Sequence, residues 1–180
     1  MSRLVPLLLL AAPLFALSSA DAADADNGWQ CLPGGGGRLQ MDISGDFEAA
    51  LDWGNEGTRC DGGPRPEGDA LRLMFSRDDD ALLIVIGVTG LTRGATGTGL
   101  LANVTVVRQG LGLFYGTLGA DACIVEVAVN KPEDSLADAW RVSGRGRCAA
   151  GIEAIGRDAE IRIASFEFTG LAYWAEQEDD

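Results

Sequence analysis

From residue 46 to residue 169 the apolar side chains recur at every second position, and glycine or polar clusters interrupt them about every ten residues. That period is a strand period. Phe47, Ala49, Leu51 and Trp53 fall on one side of a strand, with Asp46, Glu48, Ala50 and Asp52 on the other. Leu71, Leu73 and Phe75 alternate in the same way. The polar turn Ser76-Arg77-Asp78-Asp79-Asp80 then leads into the apolar run of residues 81–88, which predicts a hairpin ending in a central strand. Ala102, Val104 and Val106 give a further strand, and residues 111–118 a short one. Cys123, Val125, Val127 and Val129 line one face of the next. Trp140 and Val142 begin one more strand, residues 152–155 form a shorter one and residues 159–169 a long one.

The last strand holds a register break. Ile161 and Ile163 are odd, whereas Phe166 and Phe168 are even, so one face can bury all four only if a β-bulge lies near Ala164-Ser165. One or two helical turns are predicted over residues 132–139, where Pro132 suits the first helical position and Glu133 and Asp134 suit its positive end. About nine strands without helical crossovers predict an all-β fold, an antiparallel β-sandwich or flattened barrel. No period of 20 to 50 residues marks a solenoid or propeller.

The ends of the chain read differently. Arg3 followed by an apolar run over residues 4–17 and the small residues Ser18-Ser19-Ala20 predict a signal peptide over residues 1–20. The run is too short to span a bilayer, so no membrane insertion is expected after cleavage. Residues 21–28 read as an Ala/Asp linker, 29–175 as a single β domain and 176–180 as an acidic tail. Export places Cys31, Cys60, Cys123 and Cys148 in an oxidising compartment. There four cysteines without a C-x-x-C predict two disulfides, Cys31–Cys60 and Cys123–Cys148, each enclosing one loop-rich segment. The strong preference for arginine over lysine, with abundant Ala and Gly, points to a GC-rich bacterial genome and so to the periplasm.

Charge and composition exclude much chemistry. The net charge is −13, which argues against nucleic acid or an anionic membrane as partner. The chain has 0 histidines, which removes Ser-His-Asp and Cys-His catalysis and imidazole metal sites. Ser143 has no upstream glycine of a nucleophile elbow. Gly34-Gly35-Gly36-Gly37 and the glycines of residues 94–99 lack a following Lys-Ser/Thr and read as flexible connections, not phosphate cradles. Asn103-Val104-Thr105 matches a glycosylation acceptor but falls inside a strand. Asp78, Asp79 and Asp80 do not have EF-hand spacing and read as a polar turn, with Ca²⁺ binding left open. Asp46, Glu48 and Asp52, with Glu126 as a distant partner, read as the wet side of strands rather than as a glycosidase pair.

Two segments read as contact loops. Residues 53–69 form a long connection holding Arg59 and Arg65, stiffened by a disulfide at Cys60. Residues 141–148 hold Arg141, Arg145 and Arg147, the densest basic cluster of an acidic chain, pinned by Cys148. These five arginines are the candidate binding residues. The sequence thus predicts a periplasmic or secreted, non-enzymatic binding protein of the cell envelope. It would recognise a protein partner or an envelope polymer in the manner of an inhibitor or immunity protein. No catalytic residue, cofactor or metal is implied. The alternatives are a carbohydrate-binding domain, with Trp29, Trp53, Trp140, Tyr173 or Trp174 stacking on sugars, and a carboxylate-dependent hydrolase.

Overall fold

The computed structural model describes residues 29–65, 70–117 and 122–174. The expected leader, linker and acidic tail lie outside the described residues. The strands are β1 (Arg38–Gly45), β2 (Ala49–Trp53), β3 (Thr58–Pro64), β4 (Ala70–Arg77), β5 (Leu82–Thr89), β6 (Gly97–Arg108), β7 (Leu113–Gly116), β8 (Cys123–Pro132), β9 (Ala139–Cys148), β10 (Ile152–Glu153) and β11 (Glu160–Tyr173). Nine follow one another in the order β2-β1-β11-β9-β8-β6-β5-β4-β3, antiparallel throughout, and the sheet curls until it is nearly closed into a barrel. The short strands β7 and β10 pair with β6 and β11, where the β8–β9 hairpin has ended. Both expected disulfides are present.

Alternation places the core inside the barrel. Leu39, Met41 and Ile43, Leu71, Leu73 and Phe75, Ile84, Ile86 and Val88, and Val104 and Val106 all point inward and are buried. The expected bulge exists. Met41 faces Phe166 and Ile43 faces Ile163, so Asp42 opposes both Ala164 and Ser165, and Ile161, Ile163, Phe166 and Phe168 all reach the core. A second bulge was not anticipated: between Val127 and Val129 the register shifts, and Asn130 is turned inward in place of Val129. Its amide donates to the carbonyls of Thr92 and Ala95, both at 2.9 Å, and so holds that turn.

The segment expected as a helix, residues 132–139, is a turn instead. Glu133 N–H bonds back to the Ala139 carbonyl at 2.8 Å, so the chain reverses and Asp138 takes φ 58°. The supposed contact loops also contain strands. Residues 58–64 form β3 along β4, and residues 141–148 form most of β9 between β8 and β11.

The seam lies between the ends of the path, β2 and β3. Residues 29–37 fill it, with Cys31 and Leu32 fully buried. The Asn55 side-chain oxygen accepts from Leu32 N–H and Gly37 N–H, both at 2.9 Å. At Gly37 a side chain would fall 2.5 Å from the Cys31 sulfur, so this glycine is a packing requirement, not slack in the chain. Trp53 Nε1 donates to the Asp80 carboxylate in the β4–β5 turn. On the other side of the seam, β3 approaches β11 so closely that a Cβ on Gly62 would lie 2.6 Å from the Leu171 carbonyl oxygen.

Candidate functional site

Outward-facing residues of β8, β9, β11, β1 and β2 line an open groove of about 810 Å³. Register fixes their arrangement. One row runs Glu126, Arg145, Glu167, Gln40, Asp52 across five strands. Arg145 donates to Glu126 Oε2 from Nε at 3.0 Å and from Nη2 at 2.8 Å, which raises the arginine above its ordinary pKa. Asp52 accepts from Arg38 at 3.3 Å and Gln40 at 3.2 Å. The next row begins at Ile124 and Arg147, crosses the bulge Ala164-Ser165, and ends at Asp42 and Ala50.

This second row carries the open chemistry. The bulge and Ala50 give a floor of small side chains. Arg147 on β9 and Asp42 on β1 stand on either side of the bulge, and among the described residues neither has an ion-pair partner. Glu167, in the row beside them, also has no ion-pair partner among the described residues. The groove therefore offers one free cation and two free carboxylates over a small-residue floor, which fits an extended polypeptide with side chains of both signs. Asp42 escaped the sequence reading, because its place beside the bulge depends on the pairing of β1 with β11.

The structure separates the five arginines. Arg145 and Arg147 share the groove. Arg141 lies on the same strand but is spent on local structure. Its Nε and Nη2 reach Glu133 Oε2 at 2.9 and 2.8 Å, and Nη2 also donates to the Gly35 carbonyl at 2.9 Å. Glu133 is buried and accepts from Ser135 Oγ at 2.7 Å, and that bond, reinforced by Arg141, holds its carboxyl below the usual range. Arg59 on β3 pairs with Asp78 at 2.7 Å and stacks 4.0 Å over the Trp29 ring. Arg65 follows β3, its guanidinium lying over Gly87 on the outer face of β5. Arg59 and Arg65 therefore sit on a different wall from Arg145 and Arg147.

The acidic triplet is engaged by protein groups. Asp78 binds Arg59, Asp79 binds Arg77 at 3.0 Å, and Asp80 accepts from Trp53. The bond to Arg77 holds Asp79 below the usual carboxylate range. Asp46 accepts from Tyr115 and from Arg157 at 2.7 and 2.8 Å, closing one end of the barrel, where burial raises the tyrosine pKa. Among the described residues, no cluster of three or more Cys, Asp or Glu is arranged to hold a metal ion, and no helix is long and apolar enough to cross a membrane. Of the aromatics considered for sugar stacking, Trp53 is buried and Trp29 lies under Arg59, and none of them lines the groove. Comparisons with known protein families, characterised proteins and solved structures find none that matches this chain.

Proposed function

We propose that this chain is an exported, non-enzymatic binding protein of the cell envelope and that the β8–β9–β11–β1–β2 groove receives an extended segment of a protein partner. The observation that carries the reading is that Arg147 and Asp42, which have no ion-pair partner among the described residues, flank a floor of alanine and serine, with the similarly free Glu167 beside them. A rigid sheet presents them at a fixed separation, so little ordering cost falls on this side of the contact. Arg145, already oriented by Glu126, supports a partner carboxylate beside Arg147. Two disulfides suit an oxidising compartment, and the periplasm is the proposed location.

The test is capture from envelope extract by the immobilised protein, read by quantitative mass spectrometry beside the double variant Arg145→Glu, Arg147→Glu. A protein retained by the parent and lost by the variant, while circular dichroism shows the variant still folded, is the expected result. Equal retention by both overturns the assignment of the groove. A small-molecule substrate turned over by the purified protein overturns the non-enzymatic reading.

A further inference from the structure

The other wall of the barrel presents an outer face of a different kind. Two adjacent outward rows cross β3 to β7. One reads Arg59, Ser76, Leu83, Val107, Phe114, and the other Asp61, Met74, Val85, Thr105, Gly116. From β4 to β7 the rows carry no charge, on a chain of net charge −13. Phe114 is 47% exposed, and Ile155 beside it is 53% exposed, its N–H bonded to the Phe114 carbonyl at 2.8 Å. Leu83 and Val85 are half-buried and Val107 is buried, so the open apolar surface centres on Phe114 and Ile155. An uncharged apolar patch on a charged protein marks a contact surface.

We propose that this face binds a second copy of the chain, the two sheets packed face to face about a twofold axis that crosses the strands between the two rows. Such an axis lays each residue over its strand neighbour in the other row of the partner. Leu83 then meets Val85, and Val107 meets Thr105. The Phe114 ring falls on Gly116, where the missing side chain leaves it room. Arg59, which also pairs with Asp78 of its own chain, meets Asp61 twice, side by side where one β3 lies over the other. Arg72 on β4 and Asp78, one residue past its end, lie three residues either side of Phe75, so Arg72 faces Asp78 and joins the Arg59–Asp78 pair of the other copy. A twofold axis running along β5 would instead lay Arg59 over Phe114 and Arg72 over Asn103, pairing no charges. Charge complementarity therefore selects both the occupant and the operator.

Sedimentation velocity of the purified chain tests this, with circular dichroism to confirm folding. The parent protein is expected to be a dimer, and Leu83→Glu, a half-exposed position, is expected to weaken it about a hundredfold. Arg59→Glu and Asp61→Arg are each expected to be monomeric alone, because each sets like charges against one another. Mixed together they form a heterodimer in which both contacts are restored. Where Arg59→Glu does not fold, Arg72→Glu mixed with Asp78→Arg repeats the exchange. A monomeric parent, a Leu83→Glu dimer, or a mixture that stays monomeric overturns the proposal. Its outcome is separable from the groove reading, because the Arg145→Glu, Arg147→Glu protein is expected to remain a dimer.

Discussion

Gly144 and Gly146 show how far a single missing side chain can reach. On β9 they face inward, directly opposite Phe168 and Phe166 of β11. A Cβ at Gly146 would lie 2.3 Å from the Phe166 ring, and at Gly144 it would lie 2.7 Å from the Phe168 ring and 2.5 Å from the Glu126 carbonyl oxygen. The rings thus lie over the glycines and complete the core layer that β9 leaves empty. Gly146→Ala is expected to cost about 2 kcal/mol by overpacking, measured by urea denaturation. A double change that adds Phe166→Leu should recover part of that loss. These glycines also explain why residues 141–148 read as a loop from sequence: strand glycine and loop glycine look alike until the facing aromatic is known. Arg145 and Arg147 were legible only as part of a basic cluster on a supposed loop; that they share a face follows from the β9 pairing. Arg141 has the same parity, and nothing local announced that Glu133 would claim it.

At the scale of elements, legibility followed apolar alternation. The β4–β5 hairpin was plain, since Leu71, Leu73 and Phe75 are separated by an acidic turn from an apolar run. The β11 bulge was readable for the same reason. β3 was not, because Thr-Arg-Cys-Asp-Gly-Gly-Pro has no apolar period and pairs through its backbone with β4 and a disulfide at Cys60. β1 does carry a signal in Leu39, Met41 and Ile43, but it follows four glycines that read as a break. The β8–β9 turn offers a test at this scale. Because the folded Glu133 carboxyl lies below its unfolded value, its contribution is fully present above the usual carboxylate value of about 4.3 and is lost as pH falls through the folded value. Glu133→Gln should cost about 2 kcal/mol at neutral pH. In a pH series of thermal melts, the parent's advantage over the variant should shrink steadily on acidification. A constant difference would mean that the Arg141 bond does not depend on the charge of Glu133.

For the whole molecule, the two cross-links act at different places. Cys31–Cys60 fastens the seam segment to β3, and Cys123–Cys148 ends the β8–β9 hairpin at directly facing positions. On the chain-entropy account each is worth about 3.5 kcal/mol. Replacing either pair by alanine should lower the melting temperature by roughly 10 °C. The Cys31, Cys60 pair should in addition expose the buried Leu32 site to hydrophobic dye, which the other pair should not.

The barrel joins its first strand to its last, since β1 pairs with β11 across Arg38–Thr169 and with β2 on its other side. A ribbon of β1 and β2 alone is too small to persist in water. Strand by strand emergence of this chain, whether from a ribosome or through a translocation pore, therefore cannot be matched by strand by strand folding. The wall closes only when the region around Thr169 has come through, and until then the apolar inner face and the unpaired strand edges of a nearly complete sheet are open to any holdase, or to aggregation.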